Sequence, residues 1–367
     1  MSDSEKESNE TNNREGSVHS TRSIMSRIVS LLSLMVIVVM ALGTLSTFVA
    51  HRWLHQTITV PQDYVINVVK GDTLSKVAYR LQEEQVLSSP RWLILYAQLM
   101  DKTHIRVGEY RVRPHTTHQQ LLELLQSGDV ISYQITLVEG KTFAAFIDKL
   151  HANPKIKHTL NDANGSSIIE HLGLSIEHPE GWFFPDTYQF PSGTTDKQLL
   201  LWAHKKMQQV LEQEWELRSK DVPYNNAYEA LIMASIIEKE TGVASERSEI
   251  AGVFVRRLQK GMRLQTDPTI IYGLGDEYKG NIRRKHLTQK TPYNTYVIDG
   301  LPPTPIAMPG REAIHAALHP KNGQSLYFVA KGDGSHYFSS TLAEHNRAVR
   351  KYQIEKRKKN YQSSPQQ

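Results

Sequence analysis

The chain contains no cysteine. That excludes a disulfide framework, a thiolate metal site, a cysteine nucleophile and a lipid-modified N-terminal cysteine. It also lacks a strong excess of one charge: 43 Lys and Arg stand against 38 Asp and Glu, a net charge of +5 with the two signs interspersed. A dedicated nucleic-acid binder needs a dense basic face, so no nucleic-acid partner is expected. A mildly basic exterior instead suits anionic wall or membrane polymers. None of the 16 histidines falls in a His-Glu-x-x-His arrangement or a tight cluster along the sequence, and neither a metal nor a cofactor is expected. No internal repeat is present.

Charge is locally absent in one further place. Residues 28–50, IVSLLSLMVIVVMALGTLSTFVA, carry none and span about 23 positions, enough for a helix across a bilayer, which needs about 20. A cleaved secretory signal has a shorter apolar core and a small-residue cleavage site. Arg14, Arg22 and Arg27 precede the run and Arg52 follows it. This bias favours a cytoplasmic N-terminus and places the rest of the chain outside the cytoplasm. The segment before it, residues 1–27, is polar and nearly free of large apolar side chains, which predicts a disordered cytoplasmic tail.

The remaining length suits two further modules. Residues 64–69 alternate as a strand, and Lys70-Gly71-Asp72-Thr73 is a turn into a helix capped by Asp72 or Thr73. Leu74, Val77, Ala78 and Leu81 then share one helical face. A helix over 90–100, a strand at 108–112 and a helix over 117–127 ending at Gly128 complete a small α+β module, 61–130. A second, mixed α+β domain is expected over 131–355. It opens on a strand at 131–138 and a helix over 142–152. Residues 182–191 read as an irregular aromatic loop, followed by helices over 196–219, 226–241 and 245–259. The Gly-, Pro-, Tyr- and Asn-rich stretch 261–309 reads as loop-rich, and strands at 326–330 and 336–338 precede a basic helix. Residues 356–367 form a basic polar tail.

The helix NAYEALIMASIIEKET holds Glu238 and Glu240, which lie about 200° apart around its axis. The mean direction of Leu231, Ile232, Met233, Ile236 and Ile237 falls within about 20° of Glu240. Phase therefore turns Glu240 inward and Glu238 towards solvent or a neighbour. A carboxyl against apolar surface keeps its proton to higher pH, as a general acid requires. Phase alone leaves open that Glu240 merely ends its helix and pairs with an Arg such as Arg247, and Glu229 has nearly the same phase.

The blocks EGWFFPDTY, ASIIEKET, ASER, RLQTDPTIIYG, TPYNTY and GLPPTPIAMPG, in this order, resemble the YceG-like family of endolytic murein transglycosylases. The module 61–130, with its KGDTL turn, is similar to the LysM-like subdomain that precedes the catalytic domain in that family. The resemblance implies cleavage of the β-1,4 bond between N-acetylmuramic acid and N-acetylglucosamine in nascent peptidoglycan, leaving 1,6-anhydromuramic ends. The setting it implies is the periplasmic side of a cell inner membrane, with peptidoglycan synthases of the penicillin-binding-protein class as candidate partners, although no motif marks that contact. The family's catalytic glutamate lies in the EKE motif. It is assigned to Glu240 from its phase and from the likeness of Glu240-Thr241 to the Glu-Ser pair of other lytic transglycosylases, with Glu238 as the fallback. Gln265, Thr266, Asp267, Tyr293 and Asn294, with Glu238, are the candidate substrate contacts. Asp267-Pro268-Thr269 also reads as a plain helix cap, and Tyr293 and Tyr296 as packed aromatics. Glu180, Asp186 and Tyr188 read as braces of the cleft. The alternatives are a non-catalytic wall-binding scaffold and a hydrolytic muramidase with Asp267 as second carboxylate.

Overall fold

The computed structural model describes residues 7–160 and 165–355; the expected tail at 356–367 lies outside them. The chain divides between Ile131 and Ser132 into two compact units, each with its own core.

The first unit begins with α1 (Glu7–Leu54). One stretch of it, Arg27–Leu54, is long and apolar enough to cross a membrane, with none of its apolar window buried against the protein. The helix continues through polar residues 7–27, where composition predicts disorder. Extending an existing helix adds one hydrogen bond per ordered residue, whereas starting one fixes several residues for a single bond. The globular part pairs β1 (Tyr64–Val68) antiparallel with β2 (Gly108–Val112). Against this ribbon pack α2 (Leu74–Glu83), α3 (Pro90–Leu99) and α4 (His118–Ser127). Thr73 caps α2 by accepting from Lys76 N–H, and Thr117 forms a capping box with Gln120. Gly128 ends α4 at φ 75°, a left-handed conformation that glycine adopts without steric penalty. Val77, Ala78, Leu93, Tyr110 and Leu121 are fully enclosed at the centre.

The second unit opens with β3 (Ser132–Thr136), α5 (Phe143–His151) and α6 (Gly165–Leu172). β4 (Thr187–Pro191) pairs antiparallel with β3. The aromatic stretch expected to be irregular therefore ends in a strand, whose Tyr188 and Phe190 alternate inward. Next come α7 (Asp196–Glu216), α8 (Ala227–Glu240) and α9 (Arg247–Gln259). The loop-rich stretch 261–309 also holds α10 (Asp267–Leu274) and the short α11 (Arg284–Thr288). Their brevity leaves too few turns for a periodic apolar pattern to register. The unit closes with α12 (Arg311–Leu318), the hairpin β5 (Tyr327–Ala330) and β6 (His336–Ser339), and α13 (Leu342–Val349).

Helix α8 is the axis of this unit. Asn226 caps it by accepting from Glu229 N–H at 3.0 Å. Every residue from Ala230 to Glu238 is buried, with α7, α9, α10 and α12 packed around it. Over that stretch the helix has no solvent face. Gly181 shows how closely the surrounding chain approaches it. At φ 84°, a Cβ on Gly181 would lie 2.5 Å from the Pro305 ring and 3.5 Å from Leu231. The Pro305 ring cannot swing aside, and the left-handed backbone penalises any L side chain. Gly181→Ala is expected to destabilise by about 1–3 kcal/mol, seen as a lowered denaturant midpoint with an unchanged slope. A wild-type midpoint would show that the 181–305 contact is loose.

Candidate active site

The end of α8 emerges beside a cavity of about 1080 Å³. Glu240, the last residue of the helix, lines it together with Lys239, Gln265, Asp267, Tyr272 and Tyr296, and the hairpin β5–β6 supplies part of the wall. Glu240 is half-buried. Its Oε1 accepts a hydrogen bond from the Thr266 hydroxyl. Burial pushes its carboxyl up to about 7, and the negative charge of Asp267 adds to this. The Thr266 bond and the Arg257 guanidinium pull the other way.

Thr266 is held by a buried rack of threonines. Its N–H donates to Thr295 Oγ1 at 3.0 Å, its carbonyl accepts from Thr269 Oγ1 at 2.7 Å, and Thr269 Oγ1 lies 2.9 Å from Thr295 Oγ1. These bonds fix the hydroxyl that aims at Glu240. Just before Thr266, Gln265 sits at φ 51° with its N–H bound to Thr295 O at 3.1 Å. A non-glycine residue in the left-handed region is strained. Here the strain projects an exposed Gln side chain into the cavity.

Asp267 stands at the first turn of α10, and Thr266, not Asp267, occupies the cap position without a side-chain bond to the helix backbone. The Asp267 carboxylate is exposed, lines the cavity, and accepts from Tyr296 OH at 2.7 Å. Arg257 on α9, which no sequence pattern singles out, also lines the cavity. It is pinned through Nε to Leu326 O at 2.7 Å and through Nη1 to Leu264 O at 2.7 Å, so its positive charge cannot swing away from the site. Lys239 reaches back to Gly140 O at 3.0 Å, with its pKa lowered by burial and then by Lys141.

Four expected substrate contacts do not line the cavity. Glu238, expected towards solvent or a neighbour, is only 2% exposed. Its Oε2 accepts from Gly310 N–H at 3.0 Å, while Oε1 is buried with no hydrogen-bond partner among the described residues. Burial raises its pKa, and Glu139 raises it further. Phase ranks two faces of α8 by apolarity, but both faces are buried. Arg247 makes no ion pair with Glu240 among the described residues and acts electrostatically on Glu238. Asn294, expected to meet a sugar, is 1% exposed. Its amide donates to His286 O at 2.9 Å and Gln289 O at 2.7 Å, and its Oδ1 accepts from Tyr296 N–H at 3.0 Å, so it shapes the loop. Tyr293 packs its ring 5.0 Å from that of Tyr272 and shares a hydrogen bond of 2.9 Å with Thr304. Thr266, also expected at the substrate, is buried and committed to Glu240.

The three expected braces do not line the cavity and are each tied into the surrounding fold. Glu180 accepts from Phe143 N–H at 3.0 Å and from Tyr272 OH at 3.1 Å, and burial pushes it up to about 7. Asp186 pairs with Lys206, and Tyr188 OH donates to Phe184 O at 2.6 Å.

Known proteins share this chain's sequence over most of its length. The model of the YceG-like family matches residues 66–351. The endolytic murein transglycosylase of Bacillus subtilis (strain 168) is 32% identical over 311 residues, which cover 80% of this chain and 86% of that protein. The endolytic murein transglycosylase of Streptococcus pneumoniae serotype 2 is 25% identical over 320 residues. That match covers 77% of this chain but only 57% of the longer streptococcal protein. A crystal structure of a yceG-like protein from Listeria monocytogenes is 30% identical, with a TM-score of 0.48, covering 78% of this chain and 99% of that one.

Proposed function

Because the chain belongs to the YceG-like family, we propose that it is a lytic murein transglycosylase, a lyase that cuts peptidoglycan glycan strands internally with Glu240 as its single acid and base. The observation that carries this reading is a carboxyl held near 7 at the edge of a cavity large enough for several sugar rings, its geometry set by Thr266. Near neutral pH such a group is part protonated and part ionised, as acid–base work requires.

The bond proposed for cleavage is the β-1,4 link between N-acetylmuramic acid and N-acetylglucosamine. Protonated Glu240 gives its proton to the glycosidic oxygen as the bond to C1 breaks. The resulting carboxylate then takes the proton of the muramic C6 hydroxyl as that oxygen attacks C1 of its own ring. The products are a 1,6-anhydromuramic end and a free 4-hydroxyl, and no water is consumed. Gln265, Asp267 and Tyr296 line the cavity beside Glu240 and are the proposed sugar contacts. The fixed Asp267 carboxylate also suits stabilisation of positive charge developing at C1.

Arg27–Leu54 is the proposed inner-membrane anchor, with the preceding arginines cytoplasmic and the second unit periplasmic. The module over 61–130 is proposed as a LysM-like glycan-binding or spacing element. Contact with synthases of the penicillin-binding-protein class rests on the family resemblance.

Incubating the full chain in detergent with uncrosslinked glycan strands, followed by mass analysis of the ends, tests the reaction. Anhydro ends, lighter by one water than reducing ends, are expected. Reducing ends would make the enzyme a muramidase, and intact strands would leave a wall-binding scaffold.

A further inference from the structure

A second group of titratable side chains lies on α7 and α12 and has no part in the mechanism above. Glu214, near the end of α7, is buried, and His315 and His319 sit one helical turn apart at the end of α12. One ligand-capable atom from each of the three lies within 4.8 Å of the other two. We propose that Glu214, His315 and His319 form a binding site for a divalent transition-metal cation, with Zn²⁺ as the reference ion.

Spacing i, i+4 puts both imidazoles on one face of α12, where their rings stack with centroids 4.1 Å apart. Glu214 Oε2 lies 2.8 Å from His315 Nδ1. In the Nε2–H tautomer of His315, Nδ1 and Glu214 Oε2 both turn a lone pair towards a cation placed between them. Glu214 is itself held by Arg311, whose Nη1 donates to Oε1 at 2.7 Å, leaving Oε2 on the histidine side.

His319 adds a second observation. Its Nδ1 faces His315 O at 3.2 Å and its Nε2 faces Leu217 O at 2.8 Å. A neutral imidazole has one N–H, so it can donate to only one of these carbonyls. Its other nitrogen then points a lone pair at an oxygen. Turning that nitrogen to a cation gives up a contact the neutral ring does not possess. Tetrahedral Zn²⁺ with bonds near 2.0–2.1 Å needs its ligand atoms about 3.3 Å apart, so side-chain rotations of order 1 Å would close the present spacing. Imidazole nitrogen and a carboxylate oxygen suit Zn²⁺ among the divalent ions, and a water completes the fourth position. The cation would join the end of α7 to α12, which packs against α8. The proposed site departs from the metal-free expectation drawn from the sequence. Its one linear trace is His-x-x-x-His at 315–319, and Glu214 lies about a hundred positions away.

The site is independent of the transglycosylase reading, so its test uses binding only. Untagged full chain in detergent, titrated with Zn²⁺ at pH 7.5 in a calorimeter, is expected to bind one ion per chain at this site. His315→Ala should weaken that binding at least tenfold and abolish the Zn²⁺-dependent rise in melting temperature seen with the wild type. His319→Asn, which leaves the Glu214–Arg311–His315 bonds in place, should do the same while melting like the wild type without metal. Co²⁺ should give the visible absorption of a four-coordinate site in the wild type and not in either variant. No one-to-one binding, or a Zn²⁺ isotherm unchanged by both substitutions, overturns the site.

Discussion

Replacing Glu240 with Gln is expected to lower kcat on glycan strands by about 10²- to 10⁴-fold, the range general acid–base groups contribute, with KM little changed. Gln cannot deliver a proton to the glycosidic oxygen, but its carbonyl oxygen can still accept from the Thr266 hydroxyl. The substitution is therefore nearly isosteric, and a melting temperature at or above the wild type is expected above pH 7. The companion variant Glu238→Gln separates the two carboxyls of the EKE motif. Glu238 is enclosed beside Gly310, does not line the cavity, and meets the Gly310 N–H with one oxygen. Gln keeps that acceptor but places an amide where Oε1 has no partner. A stability loss of about 1–3 kcal/mol follows from the unsatisfied donor, with kcat within a few-fold of wild type. Denaturant midpoints and steady-state rates on both variants check this. An inactive Glu238→Gln beside an active Glu240→Gln would transfer the acid role to Glu238.

Much of the fold is legible in the sequence because local chemistry agrees with tertiary packing. The Thr73 and Thr117 caps, the left-handed Gly128 and the alternating Tyr64–Val68 strand stand within a residue or two of where the pattern puts them. Legibility ends where an environment is made by parts distant in sequence. Strand β4 is defined by its pairing with β3 more than 50 positions earlier, and nothing inside residues 187–191 announces a partner. Helix α8 lies where its pattern predicts, but the ranking of its faces fails. Amphipathic phase separates core from solvent only when one side meets solvent, and α8 is surrounded. The inward setting expected for Glu240 arises from a different cause, its place at the helix end where the cavity opens. Residue type alone suggests sugar binding for Tyr293 and Asn294. In the fold their polar atoms are consumed by Thr304, His286 and Gln289. Arg257 escapes a sequence reading because it acts from a helix whose own pattern is ordinary.

The pH profile should separate the proposed acid from its surroundings. If protonated Glu240 is the reactive form, kcat/KM is level below about 7 and falls about tenfold per pH unit above it. Thr266→Val removes a hydrogen bond that favours the ionised carboxylate. The Glu240 pKa then rises, and the falling limb moves to higher pH. Glu180, also pushed up to about 7, titrates over the same range but is 3% exposed and does not line the cavity, so its ionisation should appear in stability. For both groups the folded pKa of about 7 exceeds the ordinary glutamate value of 4.5. The native state therefore holds more protons than the unfolded chain between those values, and stability falls as pH rises through that window. The contribution of each is present in full below about 4.5 and gone above about 7. Its size is of order 3 kcal/mol, because each tenfold change in proton affinity is worth about 1.4 kcal/mol. Glu180→Gln keeps an acceptor for Phe143 N–H and turns its amide NH₂ to the Tyr272 hydroxyl, which can accept, without a buried charge. It should flatten the decline in melting temperature between about pH 5 and 8 and leave the kcat/KM limb where it was. A limb that moves with Glu180→Gln and ignores Thr266→Val would assign the ionisation to Glu180 and remove the basis for Glu240 as the acid.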